Sequence, residues 1–201
     1  MSALEKPFIT PEQYLEMERK AEFKSEYYAG QIFAMSGGSA PHSIISGNVL
    51  ALLWMQLRER DCKAFNSDMK VKVSASGLFT YPDVSVVCGE VIYADKTRDM
   101  MENPSLIVEV LSPSTQGYDR GEKFAHYQRL TSLTDYLLVS QDVMRAEHFV
   151  RQGDDQWLLS TYREPDALIR CAPIGCDLRL SDVYQKVDIS PDRDALTLRQ
   201  L

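Results

Sequence analysis

At 201 residues, 44% apolar and 25% charged, the chain has the length of one domain and the means to bury a sizeable core, which excludes fibrous and disordered classes. Its formal net charge of −7 excludes a protein that coats nucleic acid through a basic surface, while leaving room for an enzyme whose positive potential is confined to a cleft. No apolar run reaches the ~20 residues that cross a bilayer, and the start Met1-Ser2-Ala3-Leu4-Glu5-Lys6-Pro7 lacks a signal-peptide pattern, so a cytoplasmic protein with no membrane partner is expected.

Ile9-Thr10-Pro11-Glu12-Gln13-Tyr14 gathers several helix-start signals: Thr10 as N-cap, Pro11 in the first helical position, Gln13 closing a capping box and Ile9 stapled to Tyr14. A helix to about Lys20 follows. Residues 26–35 read as a hairpin turning at Ala29-Gly30. From His42 to about Arg60, Ile45, Val49, Leu52, Leu53 and Leu57 keep helical spacing. Ile44, Leu50 and Trp54 broaden that stripe, which predicts a deeply packed helix with Trp54 buried.

Strands are expected over 62–65, 69–73, 81–88, 106–111 and 136–139, with a helix over 119–130 presenting Phe124, Tyr127 and Leu130 on one face. Lys70 and Lys72 share a strand face that, with Lys63, Arg58 and Arg60, can touch phosphates but reads first as a solvated edge. Farther on, 146–151 and 156–162 flank the turn Gln152-Gly153-Asp154-Asp155 as a hairpin, and Ser181-Asp182-Val183-Tyr184 starts a short final helix. The whole predicts an α/β fold: a mixed central β-sheet flanked by helices, with a C-terminal β-hairpin extension. One domain over 1–190 and a loosely held tail over 191–201 are expected. The four cysteines, Cys62, Cys88, Cys171 and Cys176, form no Cys-x-x-Cys pair and accompany only three histidines. Reduced thiols follow, with Cys88 a small buried hydrophobe and no structural zinc site.

Two acids stand out because their surroundings do not suit them. Asp83 lies in Tyr81-Pro82-Asp83-Val84-Ser85-Val86-Val87-Cys88 and Glu109 in Leu106-Ile107-Val108-Glu109-Val110-Leu111, both nearly continuous apolar runs that predict strands covered on both faces. An ionised carboxylate is costly there unless it is paired or metal-bound. Lys123 follows at the front of a helical stretch, and two buried carboxylates with a lysine can hold a divalent cation and stabilise phosphate chemistry. His42, opening a helix, can contact phosphate or shuttle a proton. The blander alternatives are that Asp83 caps a turn, that Glu109 and Lys123 form a structural ion pair, and that His42 merely begins its helix. Asp119-Arg120 reads as a cap for the helix that bears Lys123.

These pieces, in order, resemble the Uma-type restriction endonuclease family of the PD-(D/E)XK nuclease superfamily over roughly residues 7 to 190. The resemblance is carried by Glu26-Tyr27-Tyr28-Ala29-Gly30-Gln31-Ile32, a helix opening at His42, Tyr81 to Val87, Leu106-Ile107-Val108-Glu109-Val110-Leu111-Ser112-Pro113-Ser114-Thr115, Asp119-Arg120 with Lys123 and Tyr127, and Asp135-Tyr136-Leu137-Leu138-Val139. The superfamily pattern puts its lysine two positions after the second acid, where this chain has Leu111. The resemblance implies that the lysine has moved onto the following helix as Lys123.

It further implies Mg²⁺ or Mn²⁺ held by Asp83, Glu109 and the carbonyl of Val110, with Glu26 as a supporting acid. DNA is the implied substrate, a homodimer the implied assembly, and no organic cofactor is implied. The function expected is hydrolysis of DNA phosphodiester bonds by metal-activated water. A nuclease fold whose chemistry has lapsed into a binding module is the alternative. A glycosidase acid pair is a third, to which only Trp54 and Trp157 offer sugar-stacking surfaces.

Overall fold

Thr10 starts the first helix as its neighbours dictate. Its hydroxyl accepts from the Gln13 backbone N–H at 3.3 Å, and the Gln13 side chain accepts from the Thr10 N–H at 2.9 Å, closing the capping box of α1 (Pro11–Glu18). Tyr14 is buried against Tyr27 and Phe79, with Ile9 packed beside it. The computed structural model describes residues 8–189; the expected tail over 191–201 and the leading stretch inspected for a signal lie outside the described residues. The hairpin of β1 (Ser25–Tyr28) and β2 (Gln31–Ala34) turns at Ala29 (φ 48°) and Gly30 (φ 80°). Two successive left-handed residues are what a tight two-residue hairpin turn requires.

Helix α2 (Ala40–Leu57) is capped by Ser39, whose hydroxyl accepts from the His42 N–H. Ile45, Val49, Leu53 and Leu57 form its buried stripe, as the spacing predicts. Trp54 does not join them: it is 58% exposed, because the helix packs one face only and position 54 is turned by about 100° from Leu53. Among the described residues no helix is long and apolar enough to cross a membrane.

The remaining strands are β3 (Cys62–Asn66), β4 (Lys70–Val73), β5 (Leu78–Thr80), β6 (Val84–Cys88), β7 (Met100–Met101), β8 (Leu106–Leu111), β9 (Asp135–Ser140), β10 (Ala146–Arg151), β11 (Trp157–Tyr162), β12 (Leu168–Cys171) and β13 (Cys176–Arg179). Between β8 and β9 run α3 (Gln116–Tyr118), a π-helical turn (Asp119–Lys123) and α4 (Phe124–Tyr127); α5 (Leu180–Val183) follows β13. The mixed α/β architecture expected from the sequence is present, and β1 to β11 divide between two large sheets. One has the order β11-β10-β9-β8-β6-β3, with β8 and β9 parallel and the other pairings antiparallel. The other has the order β2-β1-β5-β4-β7. The expected C-terminal hairpin is β10–β11, which continues the larger sheet, and β12–β13 form a second hairpin beyond it. α5 begins at Leu180, so Ser181 lies inside it and does not cap it.

Side-chain alternation along β8 decides where the site lies. Leu106, Val108 and Val110 enter one core, with the α2 stripe and the β12–β13 hairpin. Ile107 and Leu111 enter a second, with Val71, Val73 and Leu78 of the smaller sheet and with Phe124 and Tyr127. Glu109 shares that second face. It is therefore enclosed between two sheets and a helix.

Two further expectations are corrected. Cys62 and Cys88 are Cα partners across antiparallel β3 and β6 and are joined as a disulfide, whereas Cys171 and Cys176 remain free thiols. Lys70 is no solvated edge: β4 is flanked by β5 and β7, and the side chain is buried over the rings of Tyr14 and Tyr81, while Lys72 pairs with Glu102 at 3.1 Å.

Candidate active site

Asp83 sits one residue before β6, not inside it, and is only partly buried. The preceding Pro82 and the bend at 83 aim its carboxylate across to the neighbouring strand β8, where Oδ2 accepts the Val110 backbone N–H at 2.7 Å. His42, in the first turn of α2, brings Nε2 to 3.3 Å from the same oxygen. Its pKa is raised, chiefly by the hydrogen bond to Asp83, with the Asp83 and Asp119 charges and the Val110 backbone adding to it. Helix start, bend and strand thus converge on one carboxylate.

On the other side of Val110, Glu109 is 5% exposed. Its Oε1 accepts from the Tyr127 hydroxyl at 2.8 Å and faces Lys123 Nζ at 3.0 Å. Lys123 also reaches Glu26 Oε1 at 3.1 Å and lies 3.7 Å from Asp119 Oδ1. Glu26, on β1, additionally accepts from the hydroxyl of Thr80 on β5. The expected residues Glu26, Glu109 and Lys123 are therefore in direct contact. Asp83 and His42 form a second pair, tied to them through Val110, the neighbour of Glu109.

The π-helical turn explains how Lys123 gets there. Asp119 and Lys123 are both buried by it, and the Asp119 carbonyl accepts from the Tyr136 hydroxyl at 3.0 Å. Such turns rearrange the helical hydrogen-bond ladder and recur at functional sites. Asp119 does not cap the helix as expected; no side-chain cap bond is present, and its carboxyl faces Lys123 instead. Arg120 points away, forming a bidentate pair with Glu147 of β10 at 2.8 and 3.0 Å that anchors the helix to the sheet.

Electrostatically, three carboxyl groups surround one lysine. Burial pushes Glu109 up to about 8; Lys123 opposes that shift, and the charges of Asp119, Asp83 and Glu26 reinforce it. Burial also raises Asp119. For Lys123 burial works against the charge, yet Glu109, Glu26 and Asp119 together hold its pKa well above the ordinary lysine value. The three neighbouring carboxyl groups thus favour the charged form of Lys123.

The donor set of Asp83, Glu109 and the Val110 backbone consists of hard oxygens, which suits Mg²⁺ or Mn²⁺ and not a thiophilic metal. A divalent ion there would offset the surplus of carboxylates over lysine. Three participants were missed or misassigned from sequence: Asp119, Thr80 and Tyr127. The sequence marks Tyr127 as part of an apolar helix face, and the available signal is its hydroxyl on a fully buried side chain. Thr80 belongs to a three-residue strand too short for periodicity to show.

Comparison with known proteins agrees with this architecture. A model of the Uma2 family, described as "Putative restriction endonuclease", matches residues 11–181. The Synechocystis sp. protein slr1290 is 39% identical over 179 residues, covering 89% of this chain and 93% of its own. A second protein from the same organism, sll1609, is 39% identical over 152 residues, covering 76% of this chain and 86% of its own. The crystal structure of "a putative nuclease belonging to DUF820" from Anabaena variabilis superposes with a TM-score of 0.72 at 21% identity, covering 88% of this chain and 97% of that one, and so shares the fold. With a match that runs from the start of α1 into α5 and so spans every element that builds this cluster of carboxylates and lysine, the chain belongs to the Uma2 family.

Proposed function

We propose that the protein is a metal-dependent endonuclease that hydrolyses DNA phosphodiester bonds. The observation that carries this reading is the ammonium of Lys123 lying 3.0 Å from Glu109 although position 111 holds leucine. A lysine arriving from a helix thereby meets the second acid of a PD-(D/E)XK-like pair. Bound by Asp83, Glu109 and the Val110 carbonyl, Mg²⁺ or Mn²⁺ would supply a water of lowered pKa and polarise a phosphoryl oxygen.

The chain's own residues supply the rest. Lys123, whose charged form its carboxylate neighbours favour, stabilises negative charge on the phosphoryl group in the transition state. Glu26 and Thr80 fix the direction of its side chain, and Tyr127 fixes that of Glu109. His42, hydrogen-bonded to Asp83, is placed to meet a phosphate or pass a proton. A homodimer that cuts both strands and a cytoplasmic location belong to the same reading.

A second reading is favoured by the same contacts. Lys123 and Glu109 are already paired, which is what a structural ion pair in a lapsed nuclease would show. Incubation of supercoiled plasmid and single-stranded DNA with Mg²⁺, Mn²⁺ or chelator separates the two. Cleavage that needs the metal supports the enzyme; intact DNA under every condition supports the lapsed module.

The electrostatics add a pH dependence. Because the Glu109 carboxyl holds its proton up to about pH 8 in the metal-free fold, a cation must displace that proton at lower pH. Cation affinity should therefore rise with pH, by up to about tenfold per unit between pH ~6 and ~8, and level off above. The sign for the metal-free fold is opposite. An acid whose folded pKa lies above its unfolded value of 4.5 loses its stabilising contribution as pH rises from there to about 8. Thermal melting with and without Mg²⁺ across this range reads both trends, and a Mg²⁺-induced shift of constant size would contradict the assignment of Glu109 as ligand.

A further inference from the structure

On the opposite face of the larger sheet, three side chains that the nuclease chemistry does not use converge in the core. Asp135 opens β9, His148 lies on the adjacent β10, and Cys171 ends β12 of the β12–β13 hairpin; all three are buried, at 0%, 1% and 0% exposure. One ligand atom from each lies within 4.8 Å of the other two. His148 Nε2 is 2.8 Å from Asp135 Oδ1, and Asp135 Oδ2 accepts from the Thr134 hydroxyl at 2.7 Å.

We propose that Asp135, His148 and Cys171 supply three of the ligands to a thiophilic divalent ion, zinc before all others, which fastens the β12–β13 hairpin to the larger sheet. Carboxylate, imidazole and thiolate are the donors zinc takes, and magnesium takes none of the last two. The charges also balance: one carboxylate, one thiolate and a neutral imidazole cancel a divalent ion, so the complex adds no net charge to a dry interior. An Asp–His hydrogen bond alone accounts for two of the three residues. It gives no role to Cys171, whose Sγ makes no hydrogen bond among the described residues.

The Asp135–His148 edge asks for little movement. Bonds of about 2.0 Å to nitrogen and oxygen set the tetrahedral edge between them at about 3.3 Å, so the 2.8 Å gap opens by about half an ångström as the ion replaces the shared proton. Binding releases the Cys171 thiol proton, while the imidazole proton passes from Nε2 to Nδ1. Thr134, already bonded to the far oxygen of Asp135, holds the carboxylate in place. Asp135 and His148 belong to strands already paired in the sheet, and Cys171 arrives with the hairpin, so the site is completed as the hairpin docks. Cys176 provides the control: it is the cross-strand Cα partner of Cys171, yet its Sγ lies against the Ile174 carbonyl at 3.8 Å and outside the group.

Full-length protein produced in zinc-supplemented medium and dialysed against Mg²⁺ should retain one zinc per chain by elemental analysis. Protein produced with Co²⁺ should show a thiolate-to-cobalt charge-transfer band in the near ultraviolet, a signature that the oxygen donors of Asp83 and Glu109 cannot give. Cys171→Ala should lose both signals and Cys176→Ala should keep them. Wild type without bound metal and without the cobalt band overturns the proposal whether or not the variants fold, as does a band that survives Cys171→Ala.

Discussion

Lys123→Ala is expected to destabilise the metal-free protein by about 3–5 kcal/mol, a large part of the ~5–15 kcal/mol that holds a domain together. Lys123 is 5% exposed and is the cation shared by Glu26, Glu109 and Asp119 at 3.1, 3.0 and 3.7 Å. Without it three carboxyl groups face one another in a region from which water is largely excluded, and each can relieve the repulsion only by taking up a proton. Since burial already raises the pKa of Glu109 and of Asp119, the deficit should shrink as the pH falls. Millimolar Mg²⁺ should restore part of it. Urea unfolding at about pH 8 and about pH 5.5, with Lys123→Met as a variant that keeps the aliphatic stem, measures this. A loss at the higher pH below ~1 kcal/mol in both variants would show that the lysine does not hold the cluster together.

Glu109→Gln should behave in the opposite way. The amide keeps the shape of the side chain and can still accept the Tyr127 hydroxyl, while Lys123 keeps Glu26 and Asp119 as partners. A buried carboxylate with a pKa pushed up to about 8 is a cost to folding, so stability should stay within about 1 kcal/mol of wild type or improve. Cleavage should fall at least ~10³-fold, because a neutral amide cannot replace a carboxylate as ligand to a hard cation beside a developing phosphoryl charge. Melting and plasmid cleavage run on the same preparation settle the matter. Loss of activity that merely tracks loss of folding would mark Glu109 as a structural residue.

What the sequence disclosed and withheld follows from the range of the forces involved. The capping box at Thr10, the left-handed turn at Ala29-Gly30 and the apolar runs around Glu109 and Leu137 are local, and the structure reproduces them. The misfit of a carboxylate in such a run also points to Glu109 without any structure. Trp54 failed because helical spacing gives the width of an apolar stripe but not the edge at which packing stops. The Cys62–Cys88 bond depends on the register of two strands separated by β4 and β5 in the chain, which no local pattern encodes. Lys70 reads as an edge residue until β7 and the rings of Tyr14 and Tyr81 close over it. The proposed zinc ligands were invisible for a similar reason: they come singly from three strands, and spacing rules find only ligands that arrive in pairs.

The wider helical turn at Asp119–Lys123 also fixes which lengths of chain can vary. Four residues of α-helix overshoot a full rotation by about 40°; four residues of π-turn fall short of one by a similar amount, about 30°. The two errors offset each other, so Asp119, Lys123 and Tyr127 stay in file toward Glu109 instead of fanning around the helix. An insertion or deletion within 119–127 would break that file, and one within 115–118 would disturb its start, since the Asp119 N–H donates to the Thr115 carbonyl at 2.9 Å and Arg120 donates to Gln116 at 2.9 Å. The lysine is thus addressed from the helix and not from the strand.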